Sequence, residues 1–576
     1  MSAPNRLIYK EDAARAAAPG WDPPGCRRPV PTPGSPAKDQ PRARRWEFVP
    51  LISPPETSED AGPTPAPSGR QGASWRMAGV LAALAAVYLL LAFSRAVTKV
   101  PWCDEGTSAC PAYHLAFHGK LATTVLEPSG HFLNAYLQGV QQRTYLIMPL
   151  QPVTLAAWYR LFGFSLLATR ALGILWGGIA LVALFVLVRR LTQDSVVAVG
   201  AVAFTILDFI FVTYAADGRP DMMCIALGLG AQAVYLLLRE RNVTLAVAAS
   251  HTLTAVAFLV HPNAFLAALG LVLLALYFDR GKIRIRHLAL AAIPYLVGAA
   301  LWGAYILQAP GDFRSQFFAN AAGRSSERWE QLYQPWLAVW RELVWRYLAT
   351  YSSDPGPSLP KPAVALYIPI VLLSVLAACF WNRAIRAHRG RNALVLLTLT
   401  SVLGMTFLVG HKGEYYLPYV LPLLNALLAL WLCLKWKGDA FTRAVAGMLV
   451  AGVLLLQVGL TVHRIRQNPL ANDYLPVIRL LRDFSAQGKT ILCTSALGFD
   501  LDYRSFRDDA RRGMYSGLRP DVIVVDWFYD EMVRAFALQE RSVFVYVVNQ
   551  ETTQYHTVLT NSSFTVLRRN TPSPIR

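Results

Sequence analysis

Residues 77–106 read MAGVLAALAAVYLLLAFSRAVTKVPWCDEG. From Met77 to Val97 the run is apolar save for Ser94 and Arg95, and about twenty such residues cross a bilayer as a helix. Charge then returns in Val100-Pro101-Trp102-Cys103-Asp104-Glu105-Gly106, where two adjacent carboxylates open a segment rich in aromatics, His and Gly. Standing alone, an acidic pair of this kind reads as a solvated loop start. What makes Asp104 and Glu105 a candidate site is what the rest of the chain places on the same side.

The composition fits more such runs. Of 576 residues, 54% are hydrophobic and only 16% charged, where a soluble chain carries about 25% charge. The formal charge of +19 sits largely in short segments between apolar runs. There it reads as a positive-inside topology signal rather than a phosphate-binding surface, so no nucleic-acid partner is expected. The seven cysteines are too scattered for a disulfide scaffold or a zinc site of standard spacing. Cys103 and Cys110 bracket the acidic pair, and in an oxidising compartment they form a candidate disulfide.

Arginines 42, 44, 45, 70 and 76 precede the first span and place its start in the cytoplasm. Residues 1–75, rich in Pro, Ala, Gly and Arg, are expected to be a disordered cytoplasmic tail; alternatively the chain starts at Met77. Further spans follow over about 172–188, 196–214, 222–238, 244–260, 264–278, 288–307, 363–381, 393–409, 418–434 and 444–462, about eleven in all. Arg189-Arg190, Arg239, Arg241, Arg280 to Arg286, Arg383 to Arg391, Lys435 and Lys437 mark the cytoplasmic ends. Arg464 and Arg466, at the last exit, run against that rule.

The expected architecture is a polytopic α-helical membrane domain over 76–467 with large exported loops at 98–170 and 308–362. Around Pro149 and Pro152, and along the second loop with its Phe and Trp residues, interfacial amphipathic helices are expected. Residues 468–576 read as a small soluble α/β domain outside the cytoplasm. It has a helix over 473–486 and strands at 489–495, 521–526 and 542–548. Asp500, Asp502, Asp508 and Asp509 there read as loop and helix-start acids. The close pair Gly228-x-Gly230 reads as helix packing.

On the exported side the same topology collects Asp104, Glu105, Arg219, Asp221, His261, Lys412, Tyr415 and Tyr416. Each has an ordinary reading: Arg219 and Asp221 pair, His261 caps a helix, Lys412 snorkels. Several ionisable groups gathered at one membrane face default to function. Glycosyl transfer from a lipid-phosphate sugar needs such a set. Cations offset charge on the leaving phosphate, a carboxylate deprotonates the acceptor, and aromatics suit a prenyl chain or sugar face.

Four stretches carry a resemblance to a known family. Asp104-Glu105 lies just after the first span. Leu161-Phe162-Gly163-Phe164-Ser165, Arg170 and Arg189-Arg190 follow into the second, Tyr214 to Asp221 holds an Arg-Pro-Asp turn, and Tyr415-Tyr416-Leu417-Pro418 leads to Pro422. Together they resemble the GT-C superfamily of integral-membrane glycosyltransferases, in the branch of protein O-mannosyltransferases and lipid A aminoarabinose transferase. The resemblance implies Asp104 as catalytic base, Glu105 as a substrate-positioning partner, and Arg219 and Lys412 facing the donor phosphate. Where relatives carry His- or Lys-Pro-Pro, this chain has Ile147-Met148-Pro149-Leu150, without the polar residue.

The expected function is an inverting transferase working from a polyprenyl-phosphate-linked sugar to a glycan, lipid or protein acceptor. It would act at the periplasmic face of a bacterial inner membrane, with a divalent cation as an open option. A lipid-linked sugar flippase and a membrane-anchored sensor are the alternatives.

Overall fold

The computed structural model describes residues 69–129, 136–352 and 361–570. The expected tail therefore lies mostly outside the described residues, although its last part is helical: α1 spans Gly69–Ala96. Met1–Gly79 and Val80–Arg576 are two units, and everything below concerns the second.

Among the described residues seven helices are long and apolar enough to cross a membrane, and eight if one bent pair is a single span. Three shorter apolar helices lie where further spans are expected: Val243–Phe258, Ala365–Trp381 and Leu421–Lys435. The bent pair is α5 (Ser195–Ile206) and α6 (Phe209–Ala215), meeting at 69°. Asp208 makes the break tolerable. Its Oδ1 accepts from the backbone of Ile210 and Phe211 at 3.0 Å, capping α6. Its Oδ2 accepts from Gln457 at 3.1 Å and Asn425 at 3.4 Å, so the buried carboxylate is surrounded by donors.

Neither of the two long segments expected to be exported is an open loop. The first contains α2 (Cys103–His118) and α3 (Leu150–Phe162); α4 (Leu166–Thr192) then spans. The acidic pair thus opens a helix instead of a loop. The second contains Pro310–Tyr333 and Pro335–Arg341, followed by a π-helical stretch over Glu342–Leu348. Phe313 stacks on Phe317 at 5.0 Å and meets Trp302 edge-on at 5.5 Å, an aromatic face of the expected kind.

The span ends meet on one side. Arg170 at the start of α4 donates to the carbonyls of Ala96 and Lys99, at 2.6 and 2.7 Å. Leu470, beyond the last span (Ala440–Gln467), donates to Thr98 O at 3.0 Å. The end of the last long apolar helix therefore lies beside the end of the first.

The chain ends in a five-stranded sheet, ordered β2-β1-β3-β5-β4. Its strands are β1 (Ile491–Leu492), β2 (Phe506–Arg507), β3 (Val522–Asp526), β4 (Tyr555–Thr560) and β5 (Phe564–Arg569). β1 runs parallel to β2 and β3, while β3, β5 and β4 pair antiparallel. The expected helix is present at Leu475–Ala486. The expected strand over 542–548 is instead part of the helix Arg541–Gln554, whose Val543, Val547 and Gln550 are buried at helical spacing. A continuous apolar run does not distinguish buried strand from helix. The β4–β5 hairpin was not expected, because β4 alternates too little.

This sheet region packs onto α2. Ser495 Oγ donates to Cys103 O at 3.2 Å and lies 3.1 Å from Thr107 Oγ1. Gly106 permits the approach: a Cβ there would collide with the Ser495 carbonyl and the Ala496 amide. Gly106→Val is expected to cost about 1–3 kcal/mol by overpacking. Gly230→Ala, where a Cβ meets nothing within 4 Å, is expected to be neutral to packing. Thermal unfolding of the two variants in detergent measures the difference.

Candidate active site where the span ends meet

The site begins at the N-terminus of α2, where backbone amides attract negative charge. Asp104 and Glu105 both lie in its first turn. Successive helical residues point about 100° apart, so the two acids face different surroundings. Glu105 turns inward and is fully buried. Its oxygens accept from Arg170 Nε at 2.9 Å and Nη2 at 2.8 Å. They also accept from the Trp102 amide at 2.9 Å and the Gly218 amide at 3.0 Å. Burial pushes the Glu105 pKa up, but Arg170 outweighs it and brings the value down to about 2.

Asp104 turns outward, with its side chain 51% exposed, and pairs with Nη1 of Arg219, only 6% exposed. Arg219 Nε donates to Asp221 Oδ2 at 2.9 Å. Asp221 opens the helix Asp221–Leu238 and accepts from Tyr419 Oη at 3.1 Å. The guanidinium lies over the Tyr415 ring, 4.2 Å from its centre. Burial works against the Arg219 charge, but Asp221 and then Asp104 more than offset it and hold the pKa well above the usual guanidinium value. Tyr415 packs edge-on against Tyr416 at 4.6 Å and stacks on His411 at 5.6 Å. His261 lies 5.7 Å from the Tyr416 ring and 6.2 Å from that of Tyr419. It also caps the turn Pro262–Ala264 by accepting from Asn263 N at 3.1 Å.

Asp104, Arg219, Asp221, His261, Tyr415 and Tyr416 are therefore one connected cluster. Three sequence expectations are corrected. Glu105, expected to position a substrate, has both carboxylate oxygens taken by Arg170 and two backbone amides. Lys412 is buried 3.1 Å from Glu342, and its ammonium donates to the carbonyls of Met405, Thr406 and Val409 at 3.3, 2.6 and 2.9 Å. It closes the C-terminal end of the helix Arg389–Leu408 and ties the π-helical stretch Glu342–Leu348 to it. Cys103 and Cys110 are free thiols. Seven residues apart on one helix, their Cα atoms are about 10 Å apart by helical rise, too far for a disulfide. Desolvation, then the charges of Asp104, Asp526 and Asp508, push the Cys103 thiol's pKa well up.

Sequence reasoning missed a second layer. Lys99 pairs with the buried Asp217 at 2.5 Å behind Glu105. Burial and the Glu105 charge raise Asp217 to about 6 in spite of Lys99. Tyr214 Oη donates to Glu414 at 2.9 Å. Arg170 was visible only as a motif residue and Asp217 as part of a turn; no spacing rule joins them. The sheet region's share, Ser495, Asp526 and Trp527, carried no signal at all.

Among the described residues no three His, Cys, Asp or Glu converge as a closed set of metal ligands. Asp104 and Asp221 are both paired with Arg219.

Because Glu105 is held near 2 and titrates at about 4.3 in an unfolded chain, its pairing stabilises the fold fully above that value. The contribution is lost as pH falls from about 4.3 through 2. Removing one partner of such a buried pair costs about 3–5 kcal/mol. Arg170→Ala is thus expected to lower the melting temperature sharply at pH 7, and Glu105→Gln to flatten its dependence between pH 5 and 3, both read by thermal unfolding in detergent.

Residues 148–304 match the family model described as dolichyl-phosphate-mannose-protein mannosyltransferase. A search of curated protein sequences gives no match. Among solved structures, the chain is similar to ArnT from Cupriavidus metallidurans in the apo state, with a TM-score of 0.51 and 15% identity over 87% of this chain and 98% of that one. The same protein bound to undecaprenyl phosphate gives a TM-score of 0.50 and 17% identity over 85% and 98%. The Archaeoglobus fulgidus oligosaccharyltransferase in the apo form gives 0.52 and 10% identity over 86% and 75%. The identities are low, so the likeness is one of fold: the chain is a polytopic helical membrane protein with the GT-C fold.

Proposed function

We propose that the protein is an inverting glycosyltransferase. It moves a sugar from a polyprenyl-phosphate carrier to an acceptor at the periplasmic face of a bacterial inner membrane. One observation carries the reading: a half-exposed Asp104 held on a buried Arg219 at the mouth of the span ends, beside an acid that is wholly consumed. The matched family model and the undecaprenyl phosphate bound by the structural relative support the donor class.

In this reading the acceptor's nucleophilic atom attacks the anomeric carbon from the face opposite the phosphate. The new glycosidic bond forms as the bond from anomeric carbon to phosphate oxygen breaks, and that electron pair leaves on the polyprenyl phosphate. Asp104 Oδ takes the acceptor's proton. Arg219, fixed by Asp221 and Tyr415, offsets the charge growing on the departing phosphate without reorganising. His261 and the Tyr415–Tyr416 pair flank the donor. Lys412 stays outside the reaction, bound to Glu342.

The test is transfer from a polyprenyl-phosphate sugar by the purified full chain in detergent. Asp104→Asn is expected to lower turnover about 10²–10⁴-fold with donor affinity kept, the usual weight of a general base. Arg219→Lys is expected to lose most of it too, since an ammonium replaces neither the fork nor the ring stacking. Wild-type turnover in Asp104→Asn would remove the base assignment. Donor translocation without transfer by the unaltered protein would favour a flippase and end the enzyme reading.

A further inference from the structure

The sheet region reaches the reacting end of α2 by a route that the donor chemistry does not use. Trp527 opens the helix Trp527–Gln539, directly after β3, and its ring lies 5.0 Å from that of Trp102 at 39°. Trp102 precedes Asp104 by two residues. The position of Trp527 is fixed from beneath: Asp526 Oδ1 accepts from Tyr529 N at 3.0 Å and Oδ2 from Thr494 Oγ1 at 2.6 Å. The docking of the region on α2 is already made by Ser495 against Cys103 and Thr107. Yet Trp527 keeps 55% of its surface exposed. The paired indoles thus leave an open aromatic surface whose inner ring stands two residues before the half-exposed Asp104.

We infer that Trp102 and Trp527 form the acceptor shelf and that the acceptor is a neutral saccharide, one sugar ring lying on the indoles with a hydroxyl turned to Asp104. This rests on the reading of Asp104 as base. Indole faces suit the C–H face of a sugar ring, which is apolar while its rim is hydroxylated. Asp104 follows Trp102 by two residues and Asp526 immediately precedes Trp527, while Arg219 is already paired with Asp104 and Asp221, so this end of α2 disfavours an acceptor bearing phosphate or carboxylate. The sheet region thereby acquires a role: it carries half of the acceptor site, and the membrane spans carry the donor site.

The test uses the full chain in detergent and three fractions from a deletion strain: protease-treated polysaccharide, delipidated protein, and vesicles of its extracted phospholipid. Oxidative footprinting reads Trp102 and Trp527. The polysaccharide is expected to slow oxidation of both several-fold. Protection by the protein fraction or by vesicles instead, or by none, overturns the inference. Kinetically, Trp527→Ala is expected to raise KM for that polysaccharide about tenfold, the scale of one aromatic contact, with kcat little changed. Trp527→Phe is expected to recover most of it. An unchanged KM in Trp527→Ala, with transfer intact, removes the shelf. Absence of transfer by the unaltered protein while footprint protection persists removes the proposed reaction and leaves the shelf standing.

Discussion

The buried pair of Glu105 and Arg170 is the constraint on which the rest of the site depends. Two charges taken out of water at a membrane end are costly, and their attraction offsets the cost only when every lone pair and N–H finds a partner. Here the four Glu105 lone pairs and four of the five Arg170 N–H groups find partners. Glu105 accepts from Arg170 twice, from Trp102 N and from Gly218 N, while Arg170 Nη1 donates to the carbonyls of Ala96 and Lys99. These partners come from the end of α1, the start of α2, α4 and the turn before Asp221. One ion pair therefore fixes four chain segments relative to each other.

Asp104 inherits its position from that arrangement. With Glu105 locked inward, the helix has no freedom to rotate, and its neighbour about 100° away must face outward. Gly218, whose amide binds Glu105, immediately precedes Arg219, which binds Asp104. The two adjacent acids thus hold two adjacent residues of the same turn. Pre-organisation of this kind is what a charge-stabilising site requires, because nothing has to reorient as charge moves.

Much of this was legible in the sequence. Span-length apolar runs and the side of each Arg cluster placed Asp104, Arg219, Asp221, His261 and the two tyrosines on one face, and the structure joins them. What failed was partner choice. Lys412 and Arg219 look alike in a list of exported cations, yet one faces Glu342 and helix-end carbonyls while the other faces Asp104. Cys103 and Cys110 look like a clasp only if Cys103 begins a loop; Glu105 accepting the Trp102 amide makes it the start of a helix and separates them. Such distinctions depend on side-chain direction, which periodicity within a single segment does not supply.

The sheet region was least legible, and for a different reason. Its strands are short, β1 and β2 covering two residues each, and its longest apolar run is a helix. Its role comes from contact: Ser495 against the bare Gly106, Asp508 accepting from Ser495 N, Trp527 against Trp102. Gly106 is the one residue of these that the motif stretch already contained. A glycine in the first turn of a helix weakens it by about 1 kcal/mol relative to alanine, a cost that close approach of another backbone explains. The acidic pair followed by glycine therefore encodes three directions at once: Glu105 toward the span ends, Asp104 toward the opening, and Gly106 toward the sheet.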